Sequence, residues 1–93
     1  HKTPVSRLGG DEFIILIDNI SDQKTILRFA NLILKRLRKP FAVDSMMLEI
    51  DASLGIAKYP EDGGNSHALL RSADVAMYEA KNRGGGLKIY DKN

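Results

Sequence analysis

The sequence contains no cysteine, which excludes disulfides, thiolate metal sites and cysteine nucleophiles and points to a reducing, cytoplasmic setting. No apolar run approaches the roughly 18 to 20 residues needed to cross a bilayer. The opening His1-Lys2-Thr3-Pro4 lacks the apolar centre and small-residue cleavage pattern of a signal peptide, so no membrane segment is expected. Neither charge sign dominates: fourteen Lys and Arg face twelve Asp and Glu, a formal net charge of +2, and charge alone does not favour nucleic acid as a partner. Internal repeats, linkers and low-complexity stretches are also missing. His1 and His67 are too isolated to form a metal pair, and no Ser-His-Asp set or C-x-x-C is present for nucleophilic or zinc chemistry.

What remains is a chain of 93 residues, 43% hydrophobic and 28% charged, enough for one compact soluble domain and no more. It opens without methionine and runs almost at once into a strand-like segment, so a piece of a longer protein is expected. Val5-Ser6-Arg7-Leu8 is short and alternating, Gly9-Gly10 is a turn signal, and Glu12 to Ile17 is an apolar run rich in β-branched residues. That pattern predicts a hairpin whose second strand is buried. Asp18 to Asp22 supplies turn and N-cap chemistry before an amphipathic helix carrying Ile26, Phe29, Ala30, Ile33 and Leu37. Basic Lys35, Arg36, Arg38 and Lys39 suit its C-terminal end, and Pro40 stops it.

Phe41 to Asp44 reads as a strand and Asp44-Ser45 as a tight connection. Beyond it Met46, Leu48, Ile50, Ala52, Leu54 and Ile56 fall on one face by strict alternation, giving a second hairpin. After the turn at Tyr59 to Asn65, Ser66 can cap a helix carrying Leu69, Ala73, Ala76, Met77 and Ala80, which ends at Gly84-Gly85-Gly86. Leu87 to Tyr90 is a last short strand. The expected order is β-β-α-β-β-α-β, an α+β fold with a mainly antiparallel sheet and helices packed on it.

Two places could carry chemistry. Gly9-Gly10-Asp11-Glu12 sets two carboxylates beside two residues without side chains, which leaves room for a ligand backbone or phosphate. Mg²⁺ commonly uses one or two carboxylates together with substrate phosphates. Taken alone, the same residues also read as a Gly-Gly turn followed by solvated acids. Lys81 and Arg83, just before the three glycines, could reach an anion, or could simply satisfy a helix C-terminus.

Arg7-Leu8-Gly9-Gly10-Asp11-Glu12-Phe13 resembles the signature of GGDEF domains, the diguanylate cyclases. Ala52 to Ala57 with Tyr59-Pro60-Glu61-Asp62-Gly63 resembles the family's later strand and turn, and Ala73 to Lys81 its last helix. The resemblance covers essentially the whole chain. It implies a nucleotidyl cyclase, ferredoxin-like fold without its first strand and first helices, so that residues 1–93 would be the C-terminal part of a single domain. It further implies a Mg²⁺-dependent condensation of two GTP into cyclic di-GMP by a homodimer, in a bacterial signalling protein with possible sensor and EAL-type neighbours. Gly9 and Gly10 would let the nucleotide lie against the hairpin, Asp11 would bind metal, Glu12 would belong to the metal and phosphate site, and Lys81 would contact the terminal phosphates.

Three departures qualify this. The family's first strand supplies another metal-binding aspartate and a phosphate-binding lysine, and a helix supplies guanine-binding Asn and Asp; none lies in this chain, so the stretch is expected to be inactive alone. Where the family usually reads Gly, Arg or Lys, then Asn, this sequence reads Gly84-Gly85-Gly86, leaving Arg83 as the nearest substitute cation. The aspartate of the inhibitory Arg-x-x-Asp product site is Thr3 here. An alternative follows: a catalytically degenerate module that binds GTP or dimerises to regulate an EAL-type phosphodiesterase domain. A structural remnant without Mg²⁺-GTP affinity is a third. The missing first strand would expose a sheet edge, so self-association by strand exchange is also expected.

Overall fold

The computed structural model describes residues 5–18, 22–39, 41–48 and 51–91. Val5–Arg7 (β1) and Glu12–Asp18 (β2) form the first hairpin, antiparallel across the Gly9-Gly10 turn. Gln23–Leu37 (α1) leads to a second hairpin, Phe41–Val43 (β3) and Met46–Leu48 (β4). Then come Ser53–Tyr59 (β5), Ser66–Asn82 (α2) and Gly86–Ile89 (β6). The main sheet has the order β1-β2-β5-β6, and β3 and β4 pair only with each other. No helix among the described residues is long and apolar enough to cross a membrane.

The α+β class holds, while strand direction differs from expectation. β2 pairs with β5 in parallel, and β5 with β6 likewise, so the sheet is mixed rather than mainly antiparallel. The cause lies in the connections: a helix carries the chain back along the sheet between each of these pairs, so the following strand starts at the same end as the one before. The long alternation also divides. Asp44 and Ser45 take positive φ values of 48° and 69°, as a two-residue hairpin turn requires, and β4 ends at Leu48 in the separate two-stranded sheet. Met46 and Met47 are therefore exposed, whereas Ala52, Leu54 and Ile56 reach the core from β5 and its approach. Ile50, Pro40 and Thr3 lie outside the described residues.

Ile14 and Ile15 are both buried, and adjacent strand residues point to opposite faces. Ile15 packs with Leu54, Ile56 and the α1 residues Ile26, Ala30 and Leu34. Ile14 packs with Ala57 and the α2 residues Leu69, Ala73 and Met77. The sheet is thus covered on both faces, which explains why β2 is apolar from Phe13 to Ile17 rather than alternating. Phe29 departs from its expected burial and is 41% exposed, because the contacting stripe of α1 runs through residues four apart, Ile26, Ala30 and Leu34, leaving Phe29 at its margin. On the other face α2 lies directly over Gly55, where a Cβ would run into the Ala73 carbonyl and the Met77 backbone.

The helix ends follow local chemistry. Asp22 caps α1, its carboxylate accepting from the Thr25 amide at 2.8 Å. Asn65, one residue before the expected Ser66, caps α2 by accepting from the Ala68 amide at 2.9 Å. At the other end of α2 the Gly84 amide donates to the Lys81 carbonyl and the Gly85 amide to the Ala80 carbonyl. With Gly84 at φ +96°, this is the paired closure in which a left-handed glycine ends a helix. The turn before α2 is anchored by Asp62, whose carboxylate accepts from the Lys58 amide and whose carbonyl accepts from the Ser72 hydroxyl.

The cap at Asp22 has a consequence for acid stability. Bonding to Thr25 lowers the Asp22 pKa below its ordinary 3.8, so its stabilisation is complete above the unfolded value and is lost as pH falls through the folded one. At neutral pH Asp22→Ala is expected to melt below the parent chain. The gap should narrow as pH falls below the ordinary carboxylate range and the parent's carboxylate protonates; a gap unchanged in acid, measured by circular dichroism melts, would rule out a charged cap.

Candidate functional site

Parallel strands β2, β5 and β6 begin at one edge of the sheet, and α2, running back over them, ends at the same edge. The first hairpin turn, the start of β5 and the glycine run meet there: the Ser53 amide donates to the Asp11 carbonyl at 2.8 Å, and the Gly86 amide to the Ala52 carbonyl at 2.9 Å. This convergence brings Lys81, from the last turn of α2, to the acids of the hairpin. Its Nζ lies 2.5 Å from Glu12 Oε2 and 3.9 Å from Asp11 Oδ1. The contact joins residues 69 apart in sequence, which is why no local pattern announces it.

The Lys81 pKa is raised above its ordinary 10.5, chiefly by the hydrogen bond to Glu12; desolvation opposes this, and Coulombic attraction from Glu12, Asp11 and Tyr78 adds to it. Lys81 is therefore an ammonium across the physiological range. The Glu12 side chain is 19% exposed and that of Asp11 46%, so Glu12 is tucked against the lysine while Asp11 faces solvent.

The two glycines have different tasks. A Cβ on Gly9 would stand 2.6 Å from Glu12 Oε1, so the bare backbone there makes room for the folded-back carboxylate. At Gly10 a Cβ would meet nothing within 4 Å, so this residue borders open space. The Leu8 and Gly9 amides both donate to the Glu12 carbonyl, at 2.7 and 3.4 Å, and close the turn. Arg7, which sequence reasoning treated only as part of a signature, spans the turn from β1. Its Nε donates to the Gly9 carbonyl at 2.9 Å and its Nη2 to the Gly10 carbonyl at 3.3 Å. A long cation two residues before Gly-Gly, on the strand entering the turn, was the available signal.

Of the residues singled out in the sequence, Gly9, Gly10, Asp11, Glu12 and Lys81 come together. Arg83 does not join them: it is the exposed C-cap of α2, and its side chain has no polar partner among the described residues. Gly85 has φ +106°, and a Cβ there would stand 2.7 Å from Asp51 Oδ1. Asp51 is itself held by Arg38 at 3.2 Å, so part of the basic end of α1 is paired rather than merely solvated. Among the described residues no group of three His, Cys, Asp or Glu is placed to hold a metal ion. Asp11 and Glu12 are a pair of hard oxygen donors and nothing larger.

Residues 1–86 match the family described as "Diguanylate cyclase, GGDEF domain". The chain is 44% identical over 86 residues to the "Cyclic di-GMP phosphodiesterase PdeR" of Escherichia coli (strain K12), covering 92% of this chain and 13% of that protein. It is 43% identical over 82 residues to the "Bifunctional diguanylate cyclase/cyclic di-GMP phosphodiesterase MucR" of Pseudomonas aeruginosa, covering 86% of this chain and 12% of that protein. It is 39% identical over 83 residues to the "Diguanylate cyclase TpbB" of the same species, covering 88% of this chain and 19% of that protein. The chain thus spans between about an eighth and a fifth of the length of these relatives.

Proposed function

The chain belongs to the GGDEF domain family, and from that premise we propose that it is the C-terminal part of one such domain in a longer cyclic di-GMP signalling protein. The whole domain condenses two GTP into cyclic di-GMP as a homodimer, each subunit presenting one nucleotide to the other, and works in the cytoplasm where GTP is supplied. The observation that carries this reading is the convergence of Asp11, Glu12 and Lys81 beside the open backbone of Gly10.

The donor set fits Mg²⁺, a hard cation that takes one or two carboxylates and completes its shell with phosphate oxygens and water. Asp11 and Glu12 would hold it, and bound there it would offset charge on the phosphates and on the departing pyrophosphate. Lys81, an ammonium held beside Glu12, would contact the terminal phosphates. Gly10 leaves the approach clear. The attacking 3′-hydroxyl comes from the nucleotide on the other subunit, so this stretch alone makes no product.

A second reading is favoured by Gly85, where a left-handed backbone lies against the Asp51 carboxylate and no cation is offered, and by relatives named as phosphodiesterases. In it the domain retains GTP and regulates an adjoining EAL-type phosphodiesterase without making cyclic di-GMP. Incubating the full-length protein with GTP and Mg²⁺, with mass-spectrometric detection of product, separates the two. Cyclic di-GMP formed there, and none from residues 1–93 alone, is the result expected of a cyclase; GTP binding without product selects the regulator. Neither binding nor product would remove both.

A further inference from the structure

We infer that Arg7 is a positioning residue, which shapes the hairpin turn into a receptor for a phosphate oxyanion by aiming the Gly10 and Asp11 amides outward; in naming the ligand class this rests on the nucleotide reading above. The inference begins with the two bonds from the Arg7 guanidinium to the Gly9 and Gly10 carbonyls. The only cis peptide among the described residues is Tyr59-Pro60, so the peptides following Gly9 and Gly10 are trans, with each N–H opposite its own C=O. Drawing both carbonyls to one guanidinium therefore turns the Gly10 and Asp11 N–H groups to the other side together. Neither amide has an acceptor among the described residues, and the space beside Gly10 is open.

Successive backbone N–H groups aimed the same way form a concave site for an anion. The turn would otherwise be free to rotate these peptides, because Gly9 and Gly10 impose little restriction of their own. Two donors fixed in one plane hold both carbonyls at once, which a single ammonium cannot reproduce. Arg7 thus acts through the backbone rather than on the ligand. Asp11 would contribute both an outward amide and a carboxylate for the cation, so that one residue serves phosphate and metal.

The test uses the ¹⁵N-labelled full-length protein, with Arg7→Met to remove the donors while keeping an apolar stem and Arg7→Lys to keep the charge. Heteronuclear NOE values at Gly9, Gly10 and Asp11 report the order of the turn, and titration with GTP and Mg²⁺ reports binding. Both variants should lose order at these three amides, Arg7→Met the more, and bind roughly tenfold more weakly. In the parent the Gly10 and Asp11 amide signals should move most on titration. Unchanged order in both variants overturns the inference whatever the nucleotide does. Lost order with no GTP binding even in the parent would uphold the brace and remove the ligand class together with the nucleotide reading. Lost order with undiminished GTP affinity would overturn the positioning role alone.

Discussion

Gly55→Val is expected to unfold most of the chain at room temperature. Any side chain at this position must displace the Ala73 carbonyl and the Met77 backbone, and neither is the free end of a flexible group. α2 would have to lift off β5, and Ala73, Ala76, Met77 and Ala80, all essentially buried, would lose contact with the sheet. Ordinary overpacking costs about 1–3 kcal/mol. Displacing a helix backbone together with that apolar face should cost at least about 3–5 kcal/mol, comparable with the whole stability of a domain this small. Urea unfolding followed by circular dichroism is the measurement, and a midpoint within error of the parent's would show that α2 does not sit on Gly55 as described. Gly10→Ala is the control: with nothing near its Cβ, it should change stability by no more than about 0.5 kcal/mol.

Asp11→Ala should have the opposite profile, leaving the fold intact and removing the chemistry. The Asp11 carboxylate is nearly half exposed, and among the described residues its one close ionic neighbour is Lys81 at 3.9 Å. The structural bond at this residue, to the Ser53 amide, is made by the backbone and survives the substitution. Stability should therefore shift by less than about 0.5 kcal/mol. Cyclic di-GMP formation by the full-length protein should fall at least about a hundredfold, the scale on which losing a metal ligand or a transition-state contact is felt. Asp11→Asn, which keeps the shape and loses the charge, should fall nearly as far. An unchanged rate in either variant, with product still formed, would remove Asp11 from the metal site. Glu12 is the poorer probe, because its bond to Lys81 ties any change in activity to a rearrangement of the turn.

Much of this was legible in the sequence because it depends on neighbours. The first hairpin, both helices, the Asp22 cap and the glycine-terminated end of α2 follow from residues within a few positions of one another. The carboxylates and the glycines of the site were visible for the same reason. What escaped is what requires distant segments to meet. The alternation from Met46 to Ile56 looks like one strand, since period two does not reveal that positive φ at Asp44 and Ser45 commits β4 to its own hairpin while β5 joins the main sheet. Strand direction depends on where α1 and α2 return the chain, which their apolar faces do not state. The Lys81 bond to Glu12 was hidden by separation, and that of Arg7 to the turn because Arg7 was read only as part of a strand and a signature.

The parallel register of β2 with β5 places Glu12 beside Ser53 and Ile15 beside Ile56. The middle of the sheet therefore cannot zip from a local turn; its partners meet only after the intervening segment has been looped back, and such long-range closure slows the search. On a ribosome the apolar run of β2 emerges well before β5 exists to cover it. For that interval β1 is its partner among the described residues, and the edge that β5 will take stays open to mispairing. Yield on expression should therefore be governed by how fast β5 arrives and by chaperone supply, more than by how stable the finished domain becomes.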